Sequence, residues 1–297
     1  MKRYFFPGFL VFLFPVILVA AEVKEYAFTD FLRLTKSEDG RQLISYDTAI
    51  AKFFDERNNA EVHLVGVIHV GDKEYYEELN KLFKKYDAVL YELVAEQGVR
   101  PDRNRSHTSA DGGILSAIQT GMGAALGLEH QLDHIDYHAA NMIHADLTPA
   151  EFARRMADRG DLVQMFYRAM ALSTQRSGTD AQRDESRTIG RFLASFFAPD
   201  PTLSRRRLLA EEMMNQLDDS GWIIGGEESA IITDRNEAAL QVLRQELRNG
   251  KKKIAIFYGA AHLPEFARSL ERDFQMKKTG TAWLIAWDLT RDRSARK

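Results

Sequence analysis

Two runs of mixed apolar and polar residues within 31–54 read as an antiparallel hairpin. Glu38-Asp39-Gly40 between them supplies the Asp-Gly turn that such a pairing favours. A second turn, Arg57-Asn58-Asn59, leads into Glu61-Val62-His63-Leu64-Val65, a short β-branched run with the character of a buried strand. Gly66-Val67-Ile68-His69 follows it. Over 72–86 the spacing turns helical, with Tyr75, Tyr76, Leu79, Leu82, Phe83 and Tyr86 on one face. Residues 87–94 form the next strand, carrying Tyr91-Glu92 near its end. Strand, helix and strand make a βαβ unit, which implies a parallel pair and places Glu92 on the strand beside that of His69.

The C-terminal part follows the same plan. A helix over 234–248 turns Leu240, Leu243 and Leu247 to one side; Asp234 and Glu237 have capping-box spacing, and Asn249-Gly250 is the stop. A strand over 253–258 ends in Gly259-Ala260-Ala261-His262. A helix with Pro264 in its first turn and Phe266, Leu270 and Phe274 inward comes next, and then a final strand over 283–289. Aligned on the glycines, 62–92 and 254–288 share the order strand, Gly-x-x-His, helix, strand, which reads as an internal repeat. A long helical region, about 112–219, separates the two units. Thr148-Pro149-Ala150-Glu151 is a helix start, Phe192, Leu193, Phe196 and Phe197 mark an amphipathic helix, and 203–217 marks another. Arg205, Arg206 and Arg207 read as a solvated face, and Gly121-Met122-Gly123-Ala124-Ala125 as close helix packing. The expected architecture is α/β: a mixed sheet with two β-(Gly-x-x-His)-α-β units and a large helical insertion.

Composition narrows the picture. With 45% hydrophobic and 28% charged residues, the chain is globular in character and not fibrous. A net charge of −3 offers no field for nucleic acid. The absence of cysteine excludes disulfides, thiolate metal sites and lipid attachment at cysteine. Lys2 and Arg3, the apolar run 4–20 and the small residues of Val19-Ala20-Ala21 have the form of an export signal over 1–21, cleaved before Glu22. Cleavage takes the charge from −3 to −5 because Lys2 and Arg3 leave, and the mature 22–297 segment is then a single exported domain. A membrane enters the picture only if that segment stays uncleaved.

Candidate chemistry gathers at strand ends. His69 and His262 each follow a strand and a glycine, and the C-terminal ends of parallel strands open onto the crevice where α/β proteins bind ligands. Glu92 ends a buried strand, where an unpaired carboxylate is costly; a metal, an arginine or a proton would account for it. Arg235 sits in the first turn of a helix, against the dipole, and so calls for a partner such as Glu92 or a substrate carboxylate. His130, His134 and His138 stand four apart, but 131–137 alternates like a short strand, which would not align them as ligands. His63 reads as packed between strand neighbours, His107 as exposed, and His144-Ala145-Asp146 as a turn near the site. No phosphate loop, nucleophile elbow or His-Glu-x-x-His helix is present.

Taken together, Val62–Val65 with Gly66-Val67-Ile68-His69, Val89-Leu90-Tyr91-Glu92, Thr233-Asp234-Arg235-Asn236 and Tyr258-Gly259-Ala260-Ala261-His262-Leu263 resemble the TraB/PrgY/GumN/TIKI family. The resemblance covers about 61–93 and 227–288 and is loose over the helical middle. The family's usual glutamate before its arginine is Asp234 here. The resemblance implies a fold related to erythromycin esterases and ChaN-like haem-binding lipoproteins. From the TIKI branch it implies metal-dependent peptidase chemistry, with the motif histidines and the glutamate at the site. The expectation is therefore a metal-dependent hydrolase acting on a peptide or small-molecule substrate. His69, His262 and Glu92 would hold a divalent ion (manganese, cobalt and zinc are not distinguished by these ligands), Glu92 being a third ligand or a general base. Arg235 would orient Glu92 or stabilise an oxyanion. The alternatives are a metal-free enzyme with one histidine as base, or a non-catalytic binder of a peptide or haem in the same crevice.

Overall fold

The computed structural model describes residues 24–101, 126–159, 190–191, 194–195, 197–220 and 230–290. The export segment, His107, Gly121-Met122-Gly123-Ala124-Ala125 and three members of the apolar set around Phe192 lie outside them. The fourth member, Phe197, is 90% exposed, so it does not contribute to the buried helix face expected there.

The chain is α/β, built on a mixed sheet of seven strands. The expected hairpin is β1 (Leu32–Lys36) and β2 (Leu43–Asp55), antiparallel, with Gly40 in the left-handed region at φ +70°. After the 56–59 turn comes β3 (Ala60–Val67), antiparallel to the second half of β2. The two-residue β4 (Val70–Gly71) and helix α1 (Lys73–Phe83) lead to β5 (Ala88–Tyr91). The middle of the chain contributes β6 (Glu129–His130), α2 (Gln131–His134), β7 (Met142–His144), α3 (Pro149–Arg159) and α4 (Pro201–Ser220). The last part is a π-helical turn at Ala230–Asp234, α5 (Arg235–Arg248), β8 (Lys253–Gly259), a 3-10 turn at Ala260–His262, α6 (Leu263–Arg272) and β9 (Lys277–Asp288).

The two Gly-x-x-His strands lie side by side. β3 runs parallel to β8, from Glu61 opposite Lys253 to Val67 opposite Gly259. β8 in turn is parallel to β5, and β5 to β7. Two expectations change as a result. β8 inserts between β3 and β5, so Glu92 follows the neighbour of the His262 strand, not of the His69 strand. The repeat also breaks at its last element: β9 runs antiparallel along β2, from Ser45 opposite Asp288 to Phe54 opposite Lys277. Ser45 pairs with both Thr35 and Asp288, and Ile50 with both Val65 and Ala282, so β9 fills one edge of β2 while β1 and β3 share the other.

Both faces of the sheet are covered, which is why β3 and β8 read as nearly unbroken apolar runs. On one face Val65, Val67, Val89 and Phe257 pack with Tyr76, Leu79 and Phe83 of α1 and with Trp287. On the other, Val62, Leu64, Ile254 and Ile256 meet Leu240 and Leu243 of α5 and Phe266 and Leu270 of α6. The Thr148–Glu151 capping box forms as expected, with Thr148 N–H donating to Glu151 and Glu151 N–H to the Thr148 hydroxyl. The box expected at Asp234 does not. The π turn holds Asp234 at φ −71°, ψ −32°, already helical, and its carboxylate is bound by Arg159 and Arg155. The segment 131–137 is not a strand: pairing stops at His130 and a helical turn begins. Arg206 leaves the expected solvated face altogether and is 1% exposed.

His63 is packed as expected, its Nδ1 2.7 Å from the Tyr86 hydroxyl. Burial pushes its imidazole down to about 4, against the pull of Glu61. An unfolded chain protonates this ring at about pH 6.5, so the fold is fully favoured above that pH and loses stability as the pH falls towards about 4. His63→Leu is therefore expected to lose less stability than the parent between about pH 7.5 and about pH 5. Urea midpoints of the two proteins at the two pH values check this; equal losses would show that His63 is not the group involved.

Candidate functional site

Three strand ends and one helix start meet at the C-terminal side of the parallel strands. Tyr91 stands opposite Phe257 across β5 and β8, and Glu92 follows with its N–H on the Phe257 carbonyl at 3.2 Å. This carries the Glu92 side chain to the end of β8, where its Oε2 accepts the Gly259 N–H at 2.6 Å. A Cβ on residue 259 would stand 3.3 Å from the same oxygen, so any larger residue there would press on the Glu92 carboxylate. The first motif glycine has a different neighbour: a Cβ at Gly66 would stand 3.0 Å from Leu263 Cδ2, and that side chain would have to give way.

Glu92 Oε1 is 2.7 Å from Arg235 Nη2. The expected partner of this first-turn arginine is thus in place, but Arg235 has a second one. Its Nε and Nη2 donate to the two oxygens of Asp146, at 3.0 and 2.6 Å. Asp146 lies just after β7, and its side chain is fully buried. One arginine between two carboxylates leaves a single net negative charge in a nearly dry setting. Burial alone would raise the Glu92 carboxyl. The charges of His262, Arg235 and His69 and the Gly259 N–H outweigh it and hold the group down at about 2. Burial acts on Arg235 too, but Glu92 and Asp146 keep its guanidinium firmly charged.

His262 ends the 3-10 turn after β8 and is 4% exposed. Its Nδ1 lies 2.6 Å from Asn236 Oδ1, and its Nε2 lies 3.6 Å from Glu92 Oε1. The ring stands edge-on to Tyr258 with centroids 5.2 Å apart, and the Tyr258 hydroxyl donates to the Ala145 carbonyl. Burial pushes the His262 imidazole down to about 4, with Glu92 pulling the other way, so the ring is neutral at neutral pH.

His69 differs from it. It sits on the turn between β3 and β4 and is exposed. Its Nδ1 is 3.0 Å from Gln131 Oε1, and its carbonyl accepts the Gln131 N–H at 2.9 Å. Gln131 is held from behind, donating to the Tyr137 hydroxyl at 2.7 Å. Val67 lies opposite Gly259, so the turn that carries His69 stands beside the turn that carries His262.

The structure thus brings His69, His262, Glu92 and Arg235 together. As placed, no three His, Asp or Glu side chains among the described residues form a group that could hold a metal ion. The other histidine set does not converge. His130 Nδ1 accepts the Leu132 N–H, His134 meets Glu129 at 3.2 Å, and His138 meets the Pro101 carbonyl. His144 is bound to the Leu93 carbonyl at 2.6 Å. Sequence reasoning placed Asp146 in a turn near the site and Asn236 in the motif run but gave neither a role, and it missed Gln131. Asp146 carried a faint signal as a carboxylate just ahead of a cap, and Gln131 carried none. Compared with profiles of known protein families, with curated proteins and with solved structures, the chain finds no match.

Proposed function

We propose that the chain is a divalent-metal-dependent hydrolase of the kind its TraB/TIKI-like motifs suggest, acting on a peptide or similar acyl substrate. The observation that carries the reading is the gap between His262 Nε2 and Glu92 Oε1. At 3.6 Å it is too long for a hydrogen bond. Two ligands each about 2.1 Å from one tetrahedral ion stand about 3.4 Å apart, so the pair fits a shared cation. Arg235 is balanced by Asp146, which leaves the charge of Glu92 available to one. His262 and Glu92 would hold the ion, with His69 on its exposed turn as the third ligand.

Such an ion, when bound, supplies Lewis acidity towards a carbonyl and makes water nucleophilic at neutral pH. The chain's own groups do the rest. Arg235 and the Gly259 N–H keep Glu92 ionised and fixed in direction. Because Arg235 Nε and Nη2 are already committed to carboxylates, its role is to orient Glu92. Tyr258 and Phe266 wall off the ring of His262 from water. His69 is the exposed group that an arriving substrate meets.

The test is calorimetric titration with zinc, cobalt and manganese as the metals alone, then cleavage of a mixed peptide library. The parent is expected to bind one ion. His262→Ala and Glu92→Gln are expected to weaken binding by more than the roughly 10–100-fold typical of an outer-shell change, with the circular dichroism of the fold retained. Equal binding by parent and both variants would sink the reading. The lack of a converged three-residue group favours one second reading, a metal-free hydrolase with an imidazole as base; cleavage that survives exhaustive chelation would select it.

A further inference from the structure

The amide of Asn236 is 1% exposed and surrounded in a way that allows one orientation. Its Nδ2 lies 3.2 Å from the His262 carbonyl and 3.0 Å from Glu265 Oε2. A carbonyl and a carboxylate only accept hydrogen bonds, so the amide nitrogen must face them; the flipped amide would set an oxygen against two oxygens. The amide oxygen is then the atom 2.6 Å from His262 Nδ1, and an oxygen there can only accept. His262 Nδ1 therefore carries a proton, so the ring nitrogen left to act as base or ligand is Nε2, 3.6 Å from Glu92 Oε1.

We propose that Asn236, locked by Glu265, is the positioning residue that fixes the tautomer of His262 and so aims the Nε2 lone pair at the site. A side-chain amide suits this better than a carboxylate, since it holds the ring without adding charge behind it. The use of that lone pair as a metal ligand rests on the function proposed above; the tautomer does not. The inference is confined to His262. Gln131 stands in the same relation to His69, but its other contact, the Tyr137 hydroxyl, both donates and accepts and so leaves the amide free to face either way.

The test is long-range nitrogen–proton NMR of the whole metal-free protein at neutral pH, with cobalt(II) titration alongside. In the parent, His262 is expected to show a protonated Nδ1 and a bare Nε2. Asn236→Leu removes the acceptor and is expected to move the proton to Nε2 or mix the two forms, and to weaken cobalt binding about 10–100-fold. Asn236→Asp combined with Glu265→Gln reverses the donor and acceptor between the pair while keeping an oxygen on Nδ1. It is expected to return the ring proton to Nδ1, with the imidazole pKa raised by the new charge behind it, and a packing role for Asn236 alone would produce neither. A parent with its proton on Nε2, or an Asn236→Leu spectrum identical to the parent's, overturns the proposal. A parent that binds no cobalt overturns the metal reading, and the NMR spectra still decide the tautomer.

Discussion

Arg235→Met is expected to destabilise the folded protein by about 3–5 kcal/mol at neutral pH, the range for breaking a buried ion pair from one side. The Arg235 side chain is 11% exposed and lies between the side chain of Glu92, also 11% exposed, and that of Asp146, which is fully buried. Methionine fills much of the same space but leaves two carboxylates facing each other out of water. The sign of the pH dependence follows from Glu92. With Arg235 present its carboxyl is held at about 2. Without that charge burial is opposed less strongly, and the folded-state value moves up. A raised value favours the fold at low pH and penalises it once the pH climbs through it. The deficit of the variant should therefore be larger at about pH 8 than at about pH 5. Arg235→Lys keeps the charge but loses the fork that meets both carboxylates, so it should fall between the parent and the methionine variant. Guanidinium unfolding at both pH values is the measurement. A loss below about 1 kcal/mol, or one independent of pH, would mean that water reaches the triad and screens it.

The parts legible from sequence are those that local physics dictates. β3 and β8 are buried on both faces, so their apolar runs are nearly continuous. α1 has one face against the sheet, so Tyr75, Tyr76, Leu79 and Phe83 recur at helical spacing. The strand order is another matter. No local pattern says that β8 slips between β3 and β5; that arrangement comes from pairing between residues 192 positions apart on one side and 166 on the other. β9 was half visible, because its first half, Lys277-Lys278-Thr279-Gly280-Thr281, is polar and becomes a strand only through pairing with β2.

The site divides in the same way. His69, His262 and Glu92 stood out because glycine turns and a carboxylate at a buried strand end are unusual, and Arg235 because its charge opposes the helix dipole. Asp234 misled for a physical reason. Its spacing to Glu237 suits a capping box, but a cap must have extended backbone, and the π turn ahead of it has already closed the helix. Asn236 stood in the motif run but with no role attached, and Gln131 left no trace, since a buried amide that orients an imidazole looks like any polar residue on a helix. Asp146 pairs with Arg235 across 89 positions, too far for any local pattern to show.

Arg206 is the other residue expected to matter strongly, and as one of three consecutive arginines it was the least conspicuous. It leaves α4 for the interior, where its Nε and Nη2 donate to the carbonyls of Leu126 and Gly127, and its Nη1 lies 3.1 Å from Asp72 Oδ1. Asp72 is 4% exposed and precedes α1. Its other carboxylate oxygen accepts the Asp288 N–H at 2.7 Å, and its own N–H donates to Ala286. One ion pair thus ties the helical middle, the start of α1 and the end of β9 to the chain three residues after His69. Arg206→Met is expected to cost about 3–5 kcal/mol, because it strands the Asp72 charge and the buried Leu126 carbonyl. Adding Asp72→Asn removes the stranded charge while keeping an oxygen for Asp288, so the double variant should be more stable than Arg206→Met alone. A double-mutant cycle by urea unfolding measures that coupling, expected at about 1–3 kcal/mol for groups in direct contact. Strict additivity would show that the pair is a bystander of packing. The same variants also test what the clamp does for the site: if it fixes the turn that carries His69, Arg206→Met should weaken cobalt binding although Arg206 touches none of the four site residues. Unchanged binding would confine the clamp to stability.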